Sequence, residues 1–435
     1  MNEKQITKAL AKARSLLSME SPGLPSGELK AYVQKYFDWA KEHKAMIEQE
    51  VPPFYLLDTT ALRERAQQFK SAFSSVLQDT GFYFAVKSNS HPDVARTLLG
   101  CGFGLDVSSG VELEMALALK AEKIVFSGPG KTHKELTLAA ENHKTVTVLM
   151  DSFRELENLE KIAADKGVKI SAGVRLTTMP KGLWKKFGIL LQDLSRFFRA
   201  AEACHHVQLK GLQFHTSWNM SPEAQIKFIR KIGRAASGLS EKHRKQIDFI
   251  DIGGGYWPEQ GEWLTGEGTP EGVLRKALGM DSGSAKRHFR LPSNPIETFA
   301  ESISQAIQKN WAGLLPCRVC FEPGRWVCND AMHLILSVVD KKGNDLVITD
   351  AGTNTIGWER YETDYCPVLN LSRPSLKEKK CFILGSLCTP HDVWGKTYFG
   401  DRIEPCDFLV IPCQGAYTYS LRQEFIKPLP RVIKI

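Results

Sequence analysis

The run Phe82-Tyr83-Phe84-Ala85-Val86-Lys87 is apolar until it ends abruptly on an amine. Its length and composition predict a buried strand, and Ser88-Asn89-Ser90-His91-Pro92 carries loop and helix-start signals. A lysine at the tip of a buried strand is costly unless it has a task. One such task is a Schiff base with an aldehyde cofactor; the plainer alternative is a lysine that snorkels to water. Other reactive residues punctuate the ends of other apolar runs. Asp106 closes Phe103–Val107, Arg175 lies near the end of Val168–Leu176, and His215 follows Gln208–Phe214. Gly253-Gly254-Gly255 follows Ile247–Ile252, and Glu322-Pro323-Gly324-Arg325 follows Pro316–Phe321. Consecutive glycines expose backbone N–H groups that suit a phosphate, and Arg325 could add a charged donor to the same anion. A carboxylate such as Glu322 keeps a pyridine nitrogen protonated and the ring an electron sink. An imidazole such as His215 can lie flat against an aromatic cofactor. Each feature alone also has a plain structural explanation: a turn, a Glu322–Arg325 ion pair, a satisfied histidine.

The elements that must position these residues alternate. Gly81–Val86, Phe103–Val107, Lys123–Phe126, Thr145–Leu149, Val168–Leu176, Gln208–Phe214, Ile247–Ile252 and Pro316–Phe321 read as strands. Helical patterns such as Pro92–Leu99 and Val111–Leu119 lie between most of them. That repetition predicts a (β/α)8 TIM barrel, which carries its chemistry at the C-terminal strand ends, where all the residues above fall. An open doubly wound sheet is the rival. After residue 330 long helical patterns stop. Met332–Val339, Asp345–Thr349, Cys381–Leu384, Phe408–Pro412 and Gly415–Ser420 predict an all-β C-terminal domain. We therefore divide the chain into a helical extension (1–50), a barrel (51–330) and a β domain (331–435), with 51–58 available to pair with the last.

Composition narrows the class. A chain of 435 residues exceeds one typical core. Its net charge of +8 is dispersed, without a basic block interleaved with aromatics, which argues against nucleic acid. No apolar stretch approaches the ~20 residues of a membrane span. The start, Met1-Asn2-Glu3-Lys4-Gln5, has no apolar signal region, so we expect a cytoplasmic protein with reduced cysteines. Cys317 and Cys320 form a lone CxxC inside a strand pattern, and we expect no metal site.

Taken together, these motifs resemble the fold type III decarboxylases that use pyridoxal 5′-phosphate, which include the ornithine and diaminopimelate enzymes. The resemblance runs from about residue 52 to the C-terminus. It rests on Tyr83–Asn89, Gly104-Leu105-Asp106-Val107-Ser108-Ser109, Asp251–Gly255, Glu322–Arg325, Gly385-Ser386-Leu387-Cys388 and Gly415-Ala416-Tyr417. It implies an alanine-racemase-like barrel in a head-to-tail homodimer with shared active sites. It also implies a set of roles. Lys87 would carry the cofactor, Glu322 would pair with its ring nitrogen and His215 would stack on the ring. Gly254, Gly255, Arg325 and Tyr417 would hold the phosphate, with Asp106 near Lys87 and Arg175 near the ring. Cys388, reaching in from the partner chain, would be the proton donor; a thiol that titrates near neutrality is a competent acid.

The residues that should read the substrate depart from the best-known members. Asp350-Ala351-Gly352-Thr353-Asn354 resembles the diaminopimelate enzymes, yet Trp358 and Thr389 stand where they carry an arginine and a glutamate, and Glu362 where they carry a tyrosine. Losing two or three charge-assisted contacts, each worth ~1.5–3 kcal/mol, argues against diaminopimelate. Glu362 matches an aspartate of the ornithine enzymes, but Thr389 replaces another. Ser127–Thr132 and Cys388-Thr389-Pro390-His391-Asp392-Val393 are instead similar to a branch in siderophore and antibiotic pathways that acts on amino acids conjugated to citrate or a carrier protein. We expect a small amino-acid-derived substrate, possibly conjugated, contacted by Glu362, Thr389, Asp392 and Trp358. His215-Thr216-Ser217-Trp218 departs from the family's usual His-Val-Gly-Ser, so Ser217 would serve the phosphate from one position away. The alternative is an ornithine/lysine-type or diaminopimelate decarboxylase; a racemase and a non-catalytic regulator on the same scaffold rank behind it.

Overall fold

The computed structural model describes residues 2–17, 22–280, 288–357 and 363–435. Trp358 and Glu362 lie outside the described residues. The chain forms two compact units, one of residues 59–259 and 294–329, the other of residues 1–58, 260–293 and 330–435.

The first unit is a closed parallel barrel. Its strands are β1 (Thr80–Ala85), β2 (Gly104–Val107), β3 (Ile124–Phe126), β4 (Val146–Met150), β5 (Ile170–Leu176), β6 (Val207–Phe214), β7 (Phe249–Asp251) and β8 (Arg318–Phe321). They pair in sequence order, and β8 closes on β1 with Val319 opposite Thr80 and Phe321 opposite Phe82. All eight coincide with the expected runs to within a few residues. Strands buried largely on both faces are dominated by apolar residues, which is why they stood out. Inside the barrel, Phe249 fills space that Gly211 on β6 leaves: a Cβ there would overlap its ring. Several of the intervening helices start on side-chain caps. Ser109, Thr132 and Ser152 each accept the N–H three residues on, and Thr132 with Glu135 forms a complete capping box. Helix Phe153–Lys166 buries Leu156, Leu159, Ile162 and Ala163 on one stripe and stops at left-handed Gly167.

The second unit is built on an eight-stranded sheet. Strand Met332–Lys342 lies near its centre and pairs antiparallel with Phe54–Leu57, Phe408–Ile411 and Leu346–Thr349. Strands Val393–Phe399, Leu369–Asn370 and Arg431–Lys434, too short or too polar to stand out in sequence, complete it with Glu378–Leu384. Gly415–Ser420, expected to be a strand, is a turn running into a short 3-10 helix. Tyr417 there has φ +57 and Thr418 turns its hydroxyl back onto the Gln414 carbonyl, both incompatible with a ladder. The N-terminal helices are no mere extension. Leu29, Val33, Tyr36 and Phe37 of helix Ser26–Glu42 pack with Phe54, Ile335, Leu369 and Val410 in one core. Residues 260–293, which the sequence division gave to the barrel, fold with this unit and add Trp263 to that core. Among the described residues no helix is long and apolar enough to cross a membrane.

Candidate active site

Lys87 sits in a 3-10 turn, Val86–Ser88, two residues past the end of β1. Its Nζ donates to Asp106 Oδ2 at 2.6 Å. Asp106, wholly buried on β2, accepts a second bond from the Ser127 hydroxyl at the end of β3, at 2.5 Å. A parallel register that sets Ala85 beside Asp106 makes this meeting unavoidable. Ser127 is steadied by its own loop. Lys131 turns inward, its side chain almost wholly buried, and donates to Gly128 O at 2.8 Å, Leu149 O at 2.8 Å and Glu155 Oε1 at 2.7 Å. Burial pushes the Lys131 amine down and the Glu155 carboxyl up, while their pairing opposes both. The Ser127–Thr132 motif is thus a latch on the barrel rim.

Three acids, Asp106, Asp251 and Glu322, are buried at the barrel mouth, and Lys87 pairs with the first of them. Glu322, one residue past β8, is 2 % exposed. Its two carboxylate oxygens each lie 3.3 Å from the Gln213 amide nitrogen, which donates to them from β6. Burial pushes the Glu322 carboxyl well above the usual carboxylate range, and the charges of Asp106 and Asp251 push it further. Lys87 and Arg175 oppose the shift. Burial likewise raises Asp251, whose Oδ1 accepts the Gly253 N–H at 2.8 Å. Such a carboxylate cluster calls for a cation, and a protonated pyridine ring is one.

His215 stands one residue past β6. Its Nδ1 accepts the Gly254 N–H at 3.2 Å, so its own proton is on Nε2. Burial, then the charges of Lys87 and Arg175, hold the imidazole well below its ordinary pKa, and it is neutral at physiological pH. The guanidinium of Arg175, on β5, lies over the Phe187 ring, 4.5 Å from its centroid.

The glycine loop after β7 is shaped by its neighbours. Gly253 and Gly255 have φ +72 and +82, and a Cβ on Gly254 would overlap the Glu322 carbonyl. Asn219, fully internal, joins this loop to the one after β6: its amide donates to Thr216 Oγ1 at 3.0 Å and Gly254 O at 3.1 Å, and its N–H to Gly255 O at 2.9 Å. Arg325 opens the short helix Arg325–Cys328. Side-chain-free backbone, an arginine and a lysine thus gather on one face of one barrel, with a buried acid among them. These residues fit a phosphorylated pyridine aldehyde.

Of the expected residues, Lys87, Asp106, Arg175, His215, Gly254, Gly255, Glu322 and Arg325 belong to the barrel unit, at or just past its C-terminal strand ends. Cys388, Thr389, Asp392 and Tyr417 are carried by the other unit. Cys388 is exposed. Asp392, expected to meet substrate, is spent internally. It is 2 % exposed and accepts the N–H of Leu387 at 2.7 Å and of Thr353 at 2.8 Å, fixing the Gly385–Cys388 loop. Sequence reasoning missed Gln213, Ser127 and Asn219, and gave Asp251 no role. Gln213 left a faint signal, a polar residue between Leu212 and Phe214 at the apolar end of its strand; Asn219 left none.

A barrel of this topology with such a rim defines the pyridoxal-phosphate scaffold of amino-acid decarboxylases. The family described as pyridoxal-dependent decarboxylase, pyridoxal binding domain, matches residues 59–329, and the chain belongs to it. It is an enzyme, a decarboxylase whose cofactor is pyridoxal 5′-phosphate. Over its length it is similar to the 2-[(L-alanin-3-ylcarbamoyl)methyl]-2-hydroxybutanedioate decarboxylase of Staphylococcus aureus, at 26% identity over 84% of this chain and 89% of the relative. It is also similar to the diaminopimelate decarboxylase of Aquifex aeolicus, at 24% identity over 86% and 84% of the two chains. Its fold matches that of diaminopimelate decarboxylase from Helicobacter pylori complexed with L-lysine, with TM-score 0.74 and 23% identity over 90% of this chain and 94% of that one.

Proposed function

We propose that this enzyme removes the α-carboxylate of a free amino acid carrying a distal amino group, the class of diaminopimelate, ornithine and lysine. The weight of relatives supports this over the conjugated substrate expected from sequence: diaminopimelate decarboxylases recur in Aquifex aeolicus, Campylobacter jejuni and Bacillus subtilis at 24–26% identity over most of the chain. The single observation that carries the chemistry is the buried Glu322, held by Gln213 at the end of the strand that neighbours the one leading to Lys87 and its partner Asp106.

When bound, pyridoxal phosphate supplies an electron sink for the pair left behind as CO2 departs. The chain's residues do the rest. Lys87 anchors the cofactor and Asp106 holds its amine in place. Glu322 would pair with the ring nitrogen and keep it protonated. His215, neutral, presents a flat surface rather than a competing charge. Arg175 is placed near the ring. Gly254, Gly255, Arg325 and Tyr417 hold the phosphate, and Ser217 lies in the adjoining loop. Cys388 delivers a proton to the α-carbon, and Thr389 stands beside it on the substrate side. We assign two chains to each pair of sites, as a homodimer.

One observation favours a second reading. Asp392 is consumed by the backbone, so the Cys388–Val393 loop offers a threonine and a proline where a free distal ammonium would want an acid. A conjugated amino acid, in siderophore or other secondary metabolism, fits that loop. The Staphylococcus aureus relative and the L-glutamyl-[BtrI acyl-carrier protein] decarboxylase of Niallia circulans are named for such substrates. CO2 release from diaminopimelate, ornithine, lysine and their citrate- and carrier-linked counterparts decides between the two. A free amino acid should lead by at least about tenfold in kcat/KM; a conjugate leading by that margin establishes the second reading, and racemisation without CO2 release refutes both.

A further inference from the structure

Three rim loops of the barrel meet in one stack of side chains. Arg325, after β8, places its guanidinium carbon 4.2 Å from the ring centroid of Trp257. Trp257 lies in the loop that begins with Gly253-Gly254-Gly255 and is 7 % exposed. Trp218, from the loop after β6, stacks on Trp257 with centroids 6.2 Å apart and planes 28° from parallel. Trp218 is 65 % exposed and has φ +52, a conformation that bulky residues avoid and that surrounding structure must impose. Asn219, the next residue, imposes it by bonding to the Gly254 and Gly255 carbonyls.

We propose that Trp257 is a positioning residue for the phosphate of the cofactor, acting through Arg325. The inference rests on the assignment of Arg325 to that phosphate. An arginine side chain has many rotamers, and ordering it on binding costs affinity. An indole face fixes the plane of the guanidinium beforehand, and the cation–π attraction holds it there. Trp257 shares its loop with Gly254 and Gly255, so the same contact sets the charged donor in register with the backbone donors.

The test compares pyridoxal phosphate with pyridoxal, which lacks the phosphate, by titrating apoprotein and reading the absorbance of the bound cofactor. Trp257→Ala should weaken pyridoxal phosphate about tenfold and leave pyridoxal within about twofold, the size of one desolvated cation–π contact. Trp257→Phe should recover most of the loss. In an Arg325→Gln background Trp257→Ala should add nothing, because the two act as one. Trp257→Leu, which keeps bulk without the π face, serves if the alanine variant does not fold. Equal weakening of both ligands, or of neither, overturns the proposal. Wild-type protein that binds pyridoxal no worse than pyridoxal phosphate would instead overturn the phosphate assignment of Arg325 beneath it.

Discussion

A buried amine and a buried acid cluster explain each other. Lys87 reaches Asp106, and Glu322 and Asp251 leave the site short of positive charge until a cationic ring enters. Lys87→Ala should therefore abolish the absorbance of bound cofactor and lower decarboxylation by at least about 10³-fold, measured by spectrum and CO2 release. Cys388→Ala should keep the spectrum but slow turnover by about 10²-fold, the usual worth of one general acid. It should also scramble the stereochemistry of deuterium incorporation in heavy water; full activity with unchanged stereochemistry would remove Cys388 from the mechanism. Lys87 was legible because a charge ended an apolar run. Gln213 was barely legible, because its task is set by a residue on a strand far along the chain.

Elements place these groups and also store a pH response. In the sheet-based unit His333, on strand Met332–Lys342, is 1 % exposed and accepts the Cys413 N–H through Nδ1 at 3.1 Å. Burial lowers its pKa to about 4, against the opposing charges of Asp58 and Asp330 and with the help of Lys35 and His43. The unfolded chain takes up that proton near pH ~6.5. Between ~6.5 and about 4 the unfolded state thus binds more protons, and stability falls as pH falls. From pH ~7 to ~4.5 the cost is about 2 kcal/mol. His333→Gln, which keeps an acceptor for Cys413, should lose about that much of the acid sensitivity in urea melts at the two pH values; an unchanged difference would refute the assignment. The barrel strands were legible because apolar residues dominate each of them and helical patterns separate most of them. Gly415–Ser420 misled because an apolar turn has the same composition as a short strand, and its left-handed tyrosine leaves no mark in sequence.

The whole molecule divides its reactive residues between two units, with Lys87 and Glu322 on one and Cys388 and Tyr417 on the other. If two chains share each site, Lys87→Ala and Cys388→Ala chains mixed and allowed to exchange should regain up to about a quarter of wild-type activity. Random pairing makes half the dimers mixed, and each mixed dimer holds one intact composite site. No recovery at any mixing ratio would show that each chain completes its own site. The helix Ser26–Glu42, read in sequence as part of an extension, belongs to the core of its unit. What it packs against left no sign in the local sequence.

By itself the sequence determined the alternation of eight strands and helices, the β-rich C-terminal part, and the order of the lysine, glycine and glutamate motifs. Those are properties of local periodicity and of residues near one another along the chain. Only the tertiary structure decided that Gln213 meets Glu322, that Asp392 serves the backbone instead of a ligand, and that Lys131 latches the rim. Such pairings depend on how the strands stagger when the sheet closes and on which loops then share a rim, and no local pattern encodes either.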